Sequence, residues 1–554
     1  MIEQPALAPE PRSTSWRSYW PALWILLVLT LVAAERLRLL SVPLERDEGE
    51  YAYAGQLMLQ GEPPYKLAYN MKMPGIYAAY ALIMAVFGQT TEGIRLGFMF
   101  INFGAIVLMY FLGRRFLDRA GAVAASAMYG LLSVSPSVVG MNAHATHFVV
   151  LAALGGILVL LRAQDTGRLS RFFWSGVLFG IAFLMKQPGG AFGLFGFTVL
   201  LWSAWHEQPR DWKTNGLRLA LYAAGVAAPI VLTGLILWRA GVWDKFWWWT
   251  VDYARVHATA LTWSDGMSNL ANYIKHVHWD WSFWFLAMLG LTIVLMEKRR
   301  MEDKFFCSSF LFFSAAAVCP SLHFTAHYFV LMLPVVALLA AKAAAMAAAR
   351  LSGRPLALVR AAPWIFLGIL SIGDIWSHRL IFLEWTSEEA AVQMYPDNYF
   401  QVYPVIADYL RTHSPPSATL AVLGSEPELP FYAHRRSVTG YIYMYDLVEE
   451  QPYRQRMERE MISEVEQGRP DFIVFVNVFF SWLPFPSGID NGIRAWLTKY
   501  CESQYEPYGV VTFPPNQYCF RPDCLSLVPA GNRFITIFRR KPATLNPNPS
   551  KSAP

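Results

Sequence analysis

The segment Arg46-Asp47-Glu48-Gly49-Glu50-Tyr51 carries three carboxylates at positions 47, 48 and 50. Adjacent carboxylates can act as a general base and the group that supports it. The same residues read as a helix start. Asp47-x-x-Glu50 precedes a Tyr51/Ala54/Leu57/Met58 stripe, with Asp47 as N-cap and Glu50 reaching back. The two readings are compatible, because a cap position fixes a carboxylate in space. Downstream, Asn70-Met71-Lys72-Met73-Pro74-Gly75 places Lys72 just ahead of a short apolar run. A lysine there either snorkels to lipid headgroups or holds a phosphate.

Further chemistry-bearing residues sit at the ends of apolar runs. Asn142, His144 and His147 form one group, Lys186-Gln187-Pro188 a second, and His323 with His327-Tyr328 a third. A lysine at the depth of Lys186 is costly unless an anion accompanies it. His144-x-x-His147 puts two imidazoles on one helix face, and spacing identifies no third ligand. A divalent metal ion and satisfied interface histidines both remain readings of this set. Arg95 opens a span on the outer side, where it snorkels or pairs with the acidic loop.

The elements that position these groups belong to a membrane protein. Of 554 residues, 55% are hydrophobic and only 16% charged, against about a quarter in soluble proteins. That excludes a disordered chain and an ordinary cytosolic enzyme. The net charge of +6 is dispersed, so nucleic acid is not an expected partner. Apolar runs begin near Tyr19, Arg95, Gly121, Ala145, Phe172, Gly189, Leu217, Trp281, Phe305, Tyr328 and Ala361, which predicts about eleven transmembrane helices. Alternate short loops are rich in Arg and Lys: Arg114/Arg115/Arg119, Arg162/Arg168/Arg171, Arg210/Lys213/Arg218, Lys298/Arg299/Arg300/Lys304 and Arg350/Arg354/Arg360. The positive-inside rule makes these cytoplasmic. The expected arrangement is a multi-pass protein of the plasma (inner) membrane, with a cytoplasmic N-terminus and a periplasmic or extracellular C-terminal domain.

The organisation that follows has four parts. Residues 1–18 form a cytoplasmic segment. Residues 19–382 form the membrane domain, with outer loops 41–93 and 239–280. The run Gly75–Gly88 in the first loop is only 14 residues long, which suits an interfacial or re-entrant helix better than a span. The second loop holds Trp243, Trp247, Trp248, Trp249 and Trp263, which reads as a headgroup-layer anchor or a wall for a lipid substrate. Residues 383–540 form an extra-membrane α/β domain, which explains a mean hydropathy of only +0.30. Its expected strands are Thr419–Leu423, Phe472–Val476, Gly509–Phe513 and Phe534–Phe538, and its expected helices Tyr403–Thr412 and Arg454–Gln467. Gly424-Ser425-Glu426-Pro427-Glu428 follows a strand without any nucleotide-binding pattern. Cys519 and Cys524 are close enough in sequence to pair, with Cys501 left over or competing. Residues 541–554 read as a disordered tail.

The order of these motifs resembles a known family. An acidic pair follows the first span, then Gly61-Glu62-Pro63-Pro64-Tyr65, then Lys72-Met73-Pro74 before a short helix, Phe87-Gly88, Arg95-Leu96, and Gly113-Arg114-Arg115. This resembles the GT-C fold glycosyltransferases, namely protein O-mannosyltransferases, lipid A aminoarabinose transferases and RgtA/B/C/D-like proteins, over about residues 20–340. The resemblance implies inverting transfer of a sugar from a polyprenyl-phosphate donor to a hydroxyl acceptor on the outer face of the membrane. The acceptor would be a lipid, glycan or protein. It implies Asp47 as general base, with Glu48, His144 and His147 as support or as sugar or metal contacts. Lys72 would hold the donor phosphate, with Lys186 and Arg95 as further phosphate ligands. His323, His327 and Tyr328 are additional candidates. The family pattern commonly reads Lys-Pro-Pro where this chain has Lys-Met-Pro, and relatives often carry a carboxylate near Asn142. A lipid or glycan transporter, or a non-catalytic membrane binding protein, is the alternative. Transporters usually place ionisable groups at mid-membrane, whereas here they gather at span ends.

Overall fold

A computed structural model describes residues 19–207, 209, 211–276, 281–297, 301–482, 492–513, 516–521 and 533–542. The N-terminal segment 1–18, Arg210, Lys298–Arg300, Cys524 and the tail beyond 542 lie outside the described residues.

The chain begins with helices α1 (Trp20–Arg38), α2 (Arg46–Leu59), α3 (Pro74–Phe87), α4 (Thr91–Phe116), α5 (Arg119–Leu132), α6 (Ala145–Thr166), α7 (Leu169–Met185), α8 (Gly190–His206) and α9 (Trp212–Arg239). The second outer loop contains α10 (Trp243–Trp247), a π-helical turn (Trp248–Tyr253), α11 (Ala254–Ala258) and α12 (Trp263–His276). Helices α13 (Trp281–Met296), α14 (Met301–Val318), α15 (Leu333–Leu351) and α16 (Ala357–Ser377) complete the bundle. A helix lies at each of the eleven places where the apolar runs predict one. Among the described residues, six helices are long and apolar enough to cross a membrane: 20–38, 91–116, 145–166, 212–239, 326–351 and 357–377. The protein is a membrane protein. The interfacial run forms α3, opened by Pro74 in its first turn and closed at Gly88.

The C-terminal domain, named the outer domain for the side on which the sequence expects it, comprises α17 (Ser387–Met394), α18 (Tyr403–Thr412), β1 (Thr419–Leu423), α19 (Glu428–Ala433), β2 (Arg436–Ser437), α20 (Tyr445–Val448), α21 (Arg454–Gly468), β3 (Phe472–Asn477), α22 (Gly492–Gln504), β4 (Tyr505–Thr512), β5 (Gln517–Cys519) and β6 (Phe534–Arg540). The sheet order is β2-β1-β3-β6-β4-β5, with β1 parallel to β2 and β3 and the other pairs antiparallel. All four expected strands and both expected helices are present. The two-residue β2 and the short β5 lack the apolar alternation that would announce a strand. Cys519 is disulfide-bonded and Cys501 is free, so Cys501 is not its partner.

The outer domain packs directly on α2. An ideal Cβ at Gly49 would lie 2.6 Å from Glu428 Cβ and 2.8 Å from the Glu428 backbone nitrogen, so only glycine permits this approach. Arg46, one turn earlier, donates to the Ser425 carbonyl at 2.8 Å, to Asn398, and to Glu426 at 3.2 Å. Glu426 is thus a buried anchor for α2.

The Trp-rich loop corrects a reading of its sequence. Trp249 and Tyr253 are buried against Tyr69 and Tyr441 and do not face headgroups. Trp247 and Trp263 remain exposed.

Candidate active site

Helix α2 starts with a capping box, but not the expected one. Glu45 is the N-cap and accepts from the Glu48 amide at 3.0 Å, while the Glu48 side chain returns to the Glu45 amide. Asp47 is therefore released from capping and sits in the first turn. The helix spacing then decides which carboxylates meet. Positions 47 and 50 share a face, and position 48 points elsewhere.

Lys72 lies where the 47/50 face ends. Its ammonium donates to Asp47 Oδ1 at 2.6 Å and to Glu50 Oε2 at 2.7 Å. Glu50 is sealed, and also accepts from Asn70 at 3.0 Å and Tyr77 at 2.5 Å. Asp47 and Lys72 keep 23% and 18% of their side-chain surface exposed, against 0% for Glu48 and Glu50. Among these carboxylates, Asp47 is the one a substrate can reach.

Glu48 does a different job. It accepts from Arg95 at 2.9 Å, from Asn142 at 3.0 Å and from the Ala143 amide at 2.7 Å. Arg95 spends its remaining donors on the carbonyls of Val42, Met141 and Pro43. Arg95 is thus buried and committed, and is not at the mouth where a donor phosphate would arrive. Glu48 is likewise sealed and supports the site through Arg95 and the 142–143 backbone.

Three other elements close on Asp47. His144 occupies the N-cap position of α6 but makes no side-chain cap. Its Nδ1 instead lies 3.8 Å from Asp47 Oδ2 and 3.8 Å from Glu45 Oε1. The His144 ring stacks on His327 at 4.2 Å. Lys186, at the end of α7, lies 3.2 Å from His327 Nε2 and 4.1 Å from the centre of the Tyr328 ring. The close approach of Gly75 in α3 to the Leu184 carbonyl brings the ends of α3 and α7, hence Lys72 and Lys186, to one place.

Two expected candidates fall outside this group. His147, one turn into α6, packs edge-on against Phe98 at 5.0 Å, with neither ring nitrogen hydrogen-bonded. His323 stacks on His257 at 5.0 Å instead of joining His327. Glu45, Asn70 and Tyr443 belong to the site's surroundings without having been singled out, and Glu50, expected as a cap partner, instead accepts from Lys72. The i, i+3 relation of Asp47 and Glu50 was the available signal for Glu50. Tyr443 donates to the Arg46 carbonyl at 2.9 Å, and its ring lies 5.8 Å from the Lys72 ammonium. Its long sequence separation left no local signal.

The charges are strongly coupled. Burial pushes Asp47 up, but Lys72, then His327, His144 and Lys186, pull it well below the usual carboxylate range. Lys72 is pushed down by burial and raised above its ordinary value by Asp47 and Glu50. Burial, with Asp47 and Glu48 nearby, lifts Glu45 to about 8. Burial lowers Lys186 to about 7, Asp47 opposing and Lys72 adding to the fall. Burial also drops His144 to about 3 despite Asp47, so its imidazole is neutral at physiological pH.

Asp47, His144 and His327 bring ligand atoms within 4.8 Å of one another. This one-carboxylate, two-imidazole donor set fits a divalent ion. Such an ion would neutralise phosphate charge at the mouth.

The helical bundle, with short α3 and the carboxylate–lysine pair at one mouth, has a GT-C-like fold. Residues 71–238 match the family model described as dolichyl-phosphate-mannose-protein mannosyltransferase. ArnT from Cupriavidus metallidurans is similar in structure in its apo state, with a TM-score of 0.56 and 14% identity over 95% of this chain and 98% of that one. The same protein bound to undecaprenyl phosphate gives a TM-score of 0.54 and 12% identity over 94% and 98%. The apo oligosaccharyltransferase of Archaeoglobus fulgidus gives a TM-score of 0.53 and 13% identity over 92% of this chain and 75% of that chain. No curated protein matches by sequence.

Proposed function

We propose that this protein is a glycosyltransferase that moves a sugar from a polyprenyl-phosphate carrier to a hydroxyl acceptor, with inversion, on the outer face of the membrane. The observation that carries the reading is the partly exposed Asp47–Lys72 pair, set in a wall of sealed groups. Undecaprenyl phosphate bound to the structurally similar ArnT supports a lipid-phosphate donor.

The residues divide the work. Lys72 and Lys186 receive the donor phosphate as it becomes a leaving group, which stabilises charge developing at the transition state. Asp47 accepts the proton of the acceptor hydroxyl as its oxygen attacks the anomeric carbon. The carbon–oxygen bond to phosphate breaks, and polyprenyl phosphate departs. In the free protein Lys72 holds Asp47 too acidic to be an effective base. Phosphate competes for the Lys72 ammonium, so donor binding itself restores the basicity of Asp47. His144 and His327 line the same mouth, while Glu48 and Arg95 hold α2 against the 142–143 backbone. A metal held by Asp47, His144 and His327 would assist charge neutralisation, and no step above is routed through it.

Purified Asp47→Asn should fold, retain polyprenyl phosphate and lose transfer by about 10²–10⁴-fold, the usual worth of a positioned base. Transfer at the wild-type rate sinks the assignment. For sidedness, a reporter fused after Arg360 should read cytoplasmic and one after Leu410 outside. The reverse pattern would overturn the orientation.

A further inference from the structure

A second concavity lies on the outer face, between the Trp-rich loop and the outer domain. It has a volume of about 580 Å³ and is lined by Trp243, Trp247, Trp248, Asp252, Arg456 and Glu460, among others. Trp243 and Trp247 are four apart on α10 and therefore share a face. Their ring centres are 5.8 Å apart with planes 32° apart, which makes a two-indole platform. Trp247 is 46% exposed, so its ring face is open to a ligand in the groove.

The polar rim is divided. Lys245 is taken by Glu460 and lies 4.3 Å from the centre of the Tyr69 ring. Arg456 covers Trp248 at 5.3 Å. Asp244 and Asp252 line the same concavity, and no contact among the described residues neutralises them. Trp248 and Asp252 belong to the π-helical turn, an uncommon geometry often found at functional sites.

We infer that this groove is a carbohydrate-binding subsite that seats a pyranose ring on the Trp243–Trp247 platform. The electron-rich indole faces suit the weakly positive C–H faces of a sugar. Asp244 and Asp252 accept hydrogen bonds from its hydroxyls, and Arg456 donates to its oxygens. A bare lipid phosphate fits poorly, because two unpaired carboxylates, Asp244 and Asp252, outnumber the one free cation of the groove's described lining, Arg456. The groove is joined to the catalytic mouth through Tyr69, which Lys245 covers and which lies one residue before Asn70, the donor to Glu50. The sugar comes either from a free glycan or from a glycolipid headgroup.

The test uses the full chain in phosphatidylglycerol nanodiscs. Methyl mannopyranoside, methyl glucopyranoside and maltotriose would be added in solution and followed by saturation-transfer NMR. Dihexosyl diacylglycerol would be added to the bilayer and followed by native mass spectrometry. At least one sugar should bind, with affinity falling about fivefold or more in Trp247→Ala, as expected for loss of an aromatic stacking contact. Asp252→Asn should weaken the same ligand, and Asp47→Asn should leave it unchanged even if the catalytic reading fails. Dependence confined to the solution arm or the bilayer arm identifies the source. The inference is overturned if no sugar in either arm binds in a Trp247-dependent way. It is equally overturned if sugar-free phosphatidylglycerol shows the same dependence.

Discussion

The Lys72 ammonium lies 2.6 Å from Asp47, and the same nitrogen reaches Glu50 at 2.7 Å. The lysine thus bridges one carboxylate that is open to the mouth and one that is sealed. Glu50 keeps it in place when phosphate draws it from Asp47. Lys72→Ala should therefore weaken polyprenyl-phosphate binding by about tenfold or more, consistent with loss of a charge-assisted hydrogen bond. Acceptor affinity should change little. Titration of each substrate separately checks this, and equal losses for both would remove the phosphate role.

How much of this was legible in the sequence depends on how local the signal is. Asp47 and Lys72 stand out because each lies beside a helix start and a proline or glycine marks the turn. The eleven helices were visible because apolar runs are local, although only six of them, among the described residues, have the length and hydropathy of a membrane span. Arg95 pairs with the acidic loop as one of its two readings had it, but it misled as a phosphate ligand, because its position at a span end is equally consistent with a mouth residue and a buried anchor. Its partner, Glu48, is 47 positions away. His147 misled for a related reason: helix periodicity says which face it shares with His144, but the N-cap geometry of His144 turns that ring out of the helical register. The Arg46–Glu426 contact spans 380 positions, and no spacing rule reaches across that separation.

Glu48 ties α2 to α4 and to the start of α6. It is fully buried, paired with Arg95, and bonded to Asn142 and the Ala143 amide. Glu48→Ala leaves the Arg95 guanidinium buried without its charge partner, which costs about 3–5 kcal/mol. The expected outcome is a large fall in thermal unfolding midpoint in detergent, with lost activity secondary to lost structure. A variant with wild-type melting and no activity would instead place Glu48 in the chemistry.

Gly49 tests whether the outer domain sets the catalytic geometry. Gly49→Val forces side-chain atoms against Glu428, at a site where even a Cβ is too close. The expected result is separation of α19 from α2, seen as faster proteolysis between the two bodies, with transfer reduced although every mouth residue is intact. Arg46→Ala should act in the same direction, because it removes the bonds to Ser425 and Glu426. Normal transfer in both variants would mean the domain does not position Asp47.

The pH dependence of donor binding follows from Lys186 and Glu45. Lys186 sits near 7 in the free protein, below its ordinary value, so it is charged below that pH and loses its charge as pH rises through it. Glu45 sits near 8, above its ordinary value, so it is neutral below that pH and becomes an anion as pH rises. His327, Tyr328, Asp47, Lys72, Glu50 and His144 face the same space. Asp47 and Lys72 remain ionised throughout this window, and His144 remains neutral. Both titrations therefore make the mouth more negative between pH 6 and pH 9. Bound phosphate favours charged Lys186 and shifts its titration upward, which is the same coupling seen from the ligand's side. Polyprenyl-phosphate affinity should fall steadily over that interval, and Lys186→Met should flatten the lower half of the curve while lowering affinity at pH 6. The stability signs are separate. Lys186 destabilises the fold most where it is charged in the fold, and this penalty is relieved as pH rises from about 7 toward its ordinary value. Glu45 is the converse, because its raised value costs stability once pH exceeds its ordinary value, with the full cost reached above about 8. Binding isotherms at half-unit pH steps on the wild type and Lys186→Met decide the matter, and a flat wild-type profile would exclude Lys186 as a phosphate ligand.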